Sequence, residues 1–401
     1  MTSRYQEQLS RLATRGRLRA LKPLSGRHGC RVSCEGRELL NLSSNDYLGL
    51  AGDSDLLSRF YAGLAPGGLE LAELYGLGAT ASRLLGGDCI MAHDLEDELA
   101  AAYGQEAALL FNSGYHANIG ILPALYGRGD LILSDKLNHA SLHDGLRLSR
   151  AEHRRFNHGD HQHLRQLLIQ SSGRYQRVVI VSESVFSMDG DVADLQGLVA
   201  LKQEFAADLY LDEAHAFGLY GEQGLGQAAA QGVLGEVDLL VGTFGKAMAS
   251  MGAFVVCRRE IRDYLINHSR SLIFTTALPP VVLHWNRFVF HHQLGLARKR
   301  QSLQELSDRV RQELLARGIP TAGRTNIIPV LIGQDSDAVR LAESLREQGF
   351  LVLPVRPPAV PEGTARFRLS LTAEMQWPDL APLLDILAQE MRAGSGTIHA
   401  R

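Results

Sequence analysis

The fold class follows from residues 208–248, which have the sequence DLYLDEAHAFGLYGEQGLGQAAAQGVLGEVDLLVGTFGKAM. The two short apolar runs in it, DLYLD (208–212) and DLLVG (238–242), predict buried β-strands. Helical stretches, for example DLQGLVALKQEFA (194–206), lie between such runs. Outside this region, further strands are predicted at AALLF (107–111), DLILS (130–134), RVVIVS (177–182) and GAFVVC (252–257). Apolar runs that alternate with helices predict an α/β fold, in which helices cover both faces of a mostly parallel sheet.

The C-terminal third has a different pattern. The Pro279-Pro280 pair ends the alternating region, and a long helical stretch is predicted over residues 281–317. Shorter strands and helices follow it, and the amphipathic N-terminal segment is expected to join them. We therefore predict an N-terminal arm at residues 1–44, a large domain at 45–285 and a smaller C-terminal α/β domain at 286–401.

Composition excludes several classes of protein. The 401 residues carry a net charge of −3, whereas a nucleic-acid-binding domain is usually strongly basic. No apolar run approaches the ~20 residues needed to cross a bilayer. The four cysteines are too scattered for a disulfide framework or a paired zinc site. We expect a cytoplasmic protein with no nucleic-acid partner, no membrane partner and no metal.

Polar residues follow the predicted strands. Asp212 and His215 come at the end of the strand at 208–212, and Lys246 comes shortly after the strand at 238–242. Taken singly, the aspartate is more often a helix cap and the lysine a surface residue. Because ligands bind at the carboxyl ends of the strands in open α/β sheets, their joint occurrence predicts a ligand site.

These residue types suit pyridoxal 5′-phosphate (PLP). This cofactor needs a lysine that can form a Schiff base, for which Lys246 is the candidate. It also needs a carboxylate beside its pyridine nitrogen, for which Asp212 is the candidate. The segment from Asn112 to Asn118 joins a strand to a helix, and a helix N-terminus suits an anion such as phosphate.

A series of motifs extends over nearly the whole chain. It resembles the α-oxoamine synthases, a group of fold-type-I (aspartate aminotransferase-like) PLP enzymes that join an amino acid to an acyl thioester. The segments that carry the resemblance are SSNDYLGL (43–50), GATASRLLGG (78–87), LLFNSGYHAN (109–118), DKLNHASLHDG (135–145), SESVFSMDGD (182–191), LDEAHAFGLYGEQG (211–224), GTFGKAM (242–248), IFTTALPP (273–280) and RPPAVPEGTARFRLSL (356–371).

The resemblance implies a role for each matching residue at the cofactor ring. Lys246 would carry PLP and act as the base for the α-proton, and Asp212 would pair with the pyridinium nitrogen. His139 would stack on the ring and help to position the substrate. His215, together with Ser187, would contact the phenolic oxygen.

The resemblance also assigns the phosphate end of the cofactor. Gly114, Tyr115 and Thr243 would hold the phosphate. Thr276 would reach the phosphate from a second subunit, because active sites in this family lie at a dimer interface. A homodimer with shared active sites is therefore expected.

For the substrates, Arg368 would bind the α-carboxylate of the amino acid with help from Asn45. The motifs are most similar to those of the family member that condenses L-alanine with a pimeloyl thioester in biotin synthesis. The alternatives are condensation of glycine with acetyl-CoA, the reaction of another α-oxoamine synthase, or an inactive PLP-fold binding protein. Two positions depart from that member's pattern: Lys22 stands near the place of a substrate-contacting arginine, and Ala359 replaces a threonine.

Overall fold

The structure is a computed structural model that describes residues 2–64 and 75–395. The chain divides into two compact units, which we call the central unit and the terminal unit. The central unit comprises Ser54–Phe186 and Val192–Arg300. The terminal unit comprises Met1–Asp53, Ser187–Asp191 and Gln301–Arg401, as far as these ranges are described.

In chain order, the strands are β1 Ser25–His28, β2 Arg31–Cys34, β3 Arg37–Asn41, β4 Ala107–Phe111, β5 Leu131–Asp135, β6 Glu152–Phe156, β7 Val178–Glu183, β8 Asp208–Asp212, β9 Leu239–Thr243, β10 Ala253–Cys257, β11 Ile327–Gly333, β12 Phe350–Leu351, β13 Pro354–Val355 and β14 Ala365–Ser370. The described α-helices are α1 Thr2–Thr14, α2 Ser54–Leu64, α3 Ile90–Tyr103, α4 Gly114–Leu125, α5 Ala140–Leu148, α6 His161–Ser171, α7 Leu195–Phe205, α8 Gln227–Ala230, α9 Arg259–His268, α10 Arg270–Ile273, α11 Pro280–Leu294, α12 Ala297–Ala316, α13 Asp335–Glu347 and α14 Trp377–Ser395.

The central unit is built on a seven-stranded sheet with the order β4-β10-β9-β8-β7-β5-β6. Strands β5 to β9 are parallel to one another, whereas β10 is antiparallel to both β9 and β4. Apolar side chains of the sheet pack with those of helices α4 and α5 in a buried core. The carboxyl ends of β7, β8 and β9 consequently lie side by side at one edge of the sheet, as parallel pairing requires.

The terminal unit contains two smaller sheets. Strands β11, β14 and β13 form an antiparallel sheet in that order. Strands β1, β2 and β3 form an antiparallel meander, and β12 adds to it in parallel beside β3. The central strand β14 carries Arg368, so the backbone on both sides of this residue is fixed by neighbouring strands.

The α/β fold with a mostly parallel sheet is confirmed, and each of the six strands predicted for it is present. Strand β6 was not predicted, because its sequence EHRRF has no apolar run and most of its residues are not buried at the sheet edge. The single helical stretch predicted over 281–317 is wrong. Two helices, α11 and α12, occupy this region, and the first ends at Gly295, whose N–H bonds to the His292 carbonyl.

The N-terminal segment, predicted as an arm, contains α1 and also strands β1 to β3, which the sequence pattern did not reveal. Among the helices that the structure describes, none is both long and apolar enough to span a membrane. Within the same described ranges, no cluster of three or more His, Cys, Asp or Glu side chains is arranged to hold a metal ion.

Candidate active site

Asp212 is buried at the carboxyl end of β8, where two hydrogen-bond donors hold its carboxylate. The amide Nδ2 of Asn118 donates to Oδ2 at 2.8 Å, and the backbone N–H of Ala214 donates to Oδ1 at 2.8 Å. These two hydrogen bonds fix the orientation of the carboxylate. Asp212 is therefore set up to face a cationic group.

His139 caps the N-terminus of α5 and forms part of the same edge. Its Nδ1 accepts the backbone N–H of Ser141 at 3.2 Å and lies 2.8 Å from the Ser141 hydroxyl. Burial lowers the pKa of His139, as does the positive charge of Lys246, against the opposing charge of Asp212. Because Nδ1 accepts the Ser141 N–H, the neutral form of the imidazole carries its proton on Nε2.

Lys246 lies half-buried in the turn that follows β9, and its charge also acts on Glu183. Glu183 is the last residue of β7 and is buried, and its Oε1 has no hydrogen-bond partner among the described residues. Burial and the neighbouring Asp212 raise the pKa of Glu183 well above its usual value. The structure therefore brings Lys246, Asp212 and His139 together and adds a fourth titratable group that the sequence analysis missed.

Gly114 and Thr243 form a small cradle at the N-terminus of α4. A Cβ added to Gly114 would lie 3.8 Å from the Thr243 Cβ and 4.0 Å from its Oγ1. Thr243 is buried at the end of β9, where its Oγ1 accepts the Gly245 N–H at 3.1 Å and donates to the Gly252 carbonyl at 3.0 Å. The first N–H groups of a helix are free to bind an anion, so the helix end at Gly114 suits a phosphate group.

The other residues predicted for the cofactor are placed as follows. Tyr115 is exposed, and its hydroxyl donates to Asp144 Oδ2 at 2.7 Å. The part of Tyr115 next to the cradle is its backbone N–H, because Tyr115 directly follows Gly114 in the sequence. His215 is buried in the turn after Asp212. Thr276 is exposed, and its carbonyl accepts the Asn112 side-chain amide at 2.8 Å.

In the terminal unit, Arg368 is the centre of a group of neutral oxygens. Its guanidinium donates to Asn45 Oδ1 at 3.1 Å, to the Tyr47 hydroxyl at 2.9 Å and to Ser370 Oγ at 2.7 Å. Its Nε also donates to the carbonyl of Ser187. No carboxylate among the described residues pairs with this half-buried charge. Arg368 is thus held rigidly while its charge remains available to an anion.

The structure does not bring the two residues that depart from the family pattern into contact with this group. Lys22 is exposed and has no hydrogen bond or ion pair with another described residue. Ala359 is exposed in a turn, where its N–H bonds to the Arg356 carbonyl at 3.2 Å. Arg19, the neighbour of Lys22 in the arm, donates to the Pro357 carbonyl at 3.3 Å.

Sequence reasoning missed Asn118, Tyr210 and Tyr47 as well as Glu183. Tyr210 and Glu183 lie within strands, where the neighbouring sequence does not indicate which residue a polar side chain contacts. Asn118 and Tyr47 lie within the motifs LLFNSGYHAN and SSNDYLGL, so their motif membership was the available signal.

Comparisons with known proteins define the family. The model for aminotransferase class I and II matches residues 37–387. The 8-amino-7-oxononanoate synthase of Chlorobaculum parvum is 50% identical over 383 residues, covering 96% of each chain. Among solved structures, a serine palmitoyltransferase variant from S. paucimobilis with a bound PLP–myriocin aldimine has a TM-score of 0.88 at 28% identity and covers 97% of both chains.

A crystal structure of 8-amino-7-oxononanoate synthase from Francisella tularensis has a TM-score of 0.75 at 26% identity and covers 89% of this chain and 99% of its own. The chain belongs to the aminotransferase class I and II family and, within it, to the α-oxoamine synthases that its motifs resemble. The residues fit the cofactor of this family. The Gly114–Thr243 cradle leaves room at a helix end for an anionic group such as a phosphate, and the Asp212 carboxylate, held by two donors, matches a cationic ring nitrogen in charge.

Proposed function

We propose that this protein condenses L-alanine with a pimeloyl thioester to give 8-amino-7-oxononanoate, an intermediate of biotin synthesis. The observation that carries the proposal is the 50% identity with the C. parvum enzyme along 96% of both chains. In this reaction, alanine loses its Cα proton, and Cα forms a bond to the acyl carbonyl carbon. The C–S bond breaks, the sulfur takes up a proton, and the alanine carboxyl leaves as CO2. Cα then regains a proton.

The central unit supplies the reacting groups. PLP, when bound, delocalises the negative charge that the loss of a proton or of CO2 leaves on Cα. Lys246 would hold PLP covalently, and its amine would remove and return the Cα proton. Asp212 keeps the pyridine nitrogen protonated, supported by the donors on its two oxygens. The ring of His139 would stack on the cofactor and help to position the substrate.

Other residues orient the cofactor. Gly114 and Thr243, with the backbone N–H of Tyr115, bind the phosphate at the start of α4. His215 and Ser187 contact the phenolic oxygen. These assignments rest on the cradle geometry for the phosphate and on motif position for the phenolic oxygen.

Arg368 binds the carboxylate of L-alanine, and Asn45 keeps the guanidinium in place. A guanidinium whose described partners are all neutral can take a carboxylate without breaking an ion pair. We assign Lys22 and Ala359 to the acyl substrate, where Lys22 would offer a point charge to the distal carboxylate of the pimeloyl group.

We further propose that the protein acts in the cytoplasm as a homodimer, in which Thr276 reaches the phosphate held by the partner subunit. Several large apolar side chains of the central unit are exposed in the single chain, including Leu85 at 83% and Phe274 at 69%. Exposed apolar patches of this kind support a protein interface. The variant Leu85→Glu should lower the dimer fraction in sedimentation experiments, whereas Ile169→Glu on α6 should not. Unchanged dimers of Leu85→Glu would count against this surface.

The substrate pair is tested by measuring thiol release from PLP-loaded protein. We expect release with pimeloyl-CoA and L-alanine, little with acetyl-CoA and glycine, and none from Lys246→Ala with either pair. Release with the glycine pair alone would transfer the assignment to the short-chain reaction. Release with neither pair, from a protein that binds no PLP, would favour an inactive binding protein.

A further inference from the structure

A single buried amide connects the two residues that we assign to the cofactor ring. Asn118 lies on α4 and is 1% exposed. Its Nδ2 donates to Asp212 Oδ2 at 2.8 Å and to Ser141 Oγ at 2.9 Å. Ser141 Oγ in turn lies 2.8 Å from Nδ1 of His139. One side chain therefore links a carboxylate on β8 to the imidazole that caps α5.

Tyr210 fixes the orientation of this amide. Its hydroxyl donates to Asn118 Oδ1 at 2.6 Å, and Tyr210 is fully buried two residues before Asp212 on β8. Because Oδ1 accepts this hydrogen, both hydrogens of Nδ2 must point to the opposite side, towards Asp212 and Ser141. A flipped amide would place an oxygen against the Asp212 carboxylate and leave the Tyr210 hydroxyl without an acceptor.

The same chain of hydrogen bonds continues from Ser141 to His139. Since Ser141 Oγ accepts a hydrogen from Asn118, its own hydrogen is free to be donated to Nδ1 of His139, which also receives the Ser141 backbone N–H at 3.2 Å. Nδ1 is then an acceptor twice over, and the ring keeps its proton on Nε2. The tautomer of His139 and the orientation of the Asp212 carboxylate consequently depend on the same amide.

We propose that Asn118 is a positioning residue for the cofactor, which sets both Asp212 and His139 through one amide that Tyr210 locks. This inference rests on the proposed placement of the PLP ring between these two residues. Asn118 touches neither the reacting atoms nor the cofactor; it acts through the two residues that do. Loss of its amide should weaken PLP binding more than it weakens the fold.

The test compares three variants by titrating the apo-protein with PLP and by thermal unfolding of the same apo-protein. Asn118→Leu keeps the size of the side chain and removes both donors, so PLP should bind roughly tenfold more weakly, since hydrogen bonds to charged groups are the strong ones. Tyr210→Phe leaves the amide unlocked, and a smaller loss of roughly threefold is expected.

Tyr126→Phe is the matched control. Tyr126 is also buried, and its hydroxyl donates to Asp208 Oδ2 at 3.0 Å, at the opposite end of the same strand β8. This variant should also lose thermal stability, because each variant loses one hydrogen bond made by a buried tyrosine, but its affinity for PLP should stay within about twofold of the wild type.

Wild-type PLP affinity in a folded Asn118→Leu protein would overturn the inference. If Asn118→Leu does not fold, the two tyrosine variants decide: equal PLP affinities for Tyr210→Phe and Tyr126→Phe would overturn it, and a selective loss in Tyr210→Phe would support it. Absence of PLP binding by the wild type would instead overturn the cofactor assignment itself, which the wild-type titration reveals separately.

Discussion

Glu183 and Asp212 are direct register partners at the carboxyl ends of the neighbouring parallel strands β7 and β8. Both side chains are buried, and the charge of Lys246 acts on Glu183. Two carboxyl groups that share a buried site do not both ionise readily. Because burial and Asp212 raise the pKa of Glu183, we expect the shared proton to reside on Glu183.

Glu183→Gln should change how the thermal stability of the protein depends on pH. The pKa of Glu183 in the folded protein is raised above 4.5, so the folded protein keeps a proton that the unfolded chain releases as the pH rises. The contribution of Glu183 to the free energy of unfolding therefore falls as the pH rises from its pKa in the unfolded chain to its pKa in the folded protein. Glutamine has no such proton to lose. The melting temperature of the variant relative to that of the wild type should therefore be higher at pH 8 than at pH 5. The affinity of the variant for PLP should be unchanged. A stability difference that is the same at both pH values would contradict this.

Arg368→Lys should raise KM for L-alanine by roughly tenfold or more with a smaller effect on kcat, because lysine lacks the planar fork that binds a carboxylate. Steady-state kinetics at saturating pimeloyl-CoA measures the effect. Arg366→Lys is the control, since Arg366 lies two residues earlier on β14 and pairs with Asp189. An equal rise in KM for both variants would refute the specific role of Arg368.

Gly114→Ala should weaken PLP binding by at least roughly tenfold and leave the apo-protein folded. The added Cβ would make only ordinary contact with Thr243 at 3.8 Å, so the fold can accommodate it, but the methyl group would occupy the space beside the helix end. Gly127→Ala, which has no atom within 4 Å of its added Cβ, serves as the control. Unchanged PLP affinity in Gly114→Ala would show that the phosphate does not bind at this cradle.

His139→Phe keeps a flat ring but no longer accepts the Ser141 N–H, and kcat/KM should fall by roughly tenfold or more. Because burial lowers the pKa of His139, any loss of wild-type kcat/KM caused by protonation of this ring should set in at a lower pH than for an ordinary histidine. His143→Phe, on the same helix and half-buried, is the control and should stay within about threefold of the wild type. A similar loss of kcat/KM in both variants would show that the effect comes from disturbing helix α5 and not from His139 itself.

The sequence was sufficient to predict the parallel core of the sheet, because β7, β8 and β9 are buried on both faces and therefore have continuous apolar sequences. It was not sufficient for β6, which lies at an edge and is largely polar. The break between α11 and α12 was missed because helical periodicity continues across Gly295.

Residues at strand ends could be predicted for the site, since the carboxyl ends of parallel strands meet at one edge. Lys246, Asp212 and His139 were found in this way or through their motifs. The connections between them were not, because a hydrogen bond such as that from Tyr210 to Asn118 joins residues far apart in the sequence. Glu183 was missed for a related reason: its pairing with Asp212 depends on strand register.

The central claim is a decarboxylative condensation, and isotope tracing tests it most directly. PLP-loaded protein is incubated with pimeloyl-CoA and L-alanine labelled with 13C in the carboxyl group, and both CO2 and the amino ketone are analysed by mass spectrometry. We predict that all of the label appears in CO2 and that 8-amino-7-oxononanoate forms without label, in equal amount to the released thiol. A product that retains the label, or alanine that remains unconsumed, would contradict the claim.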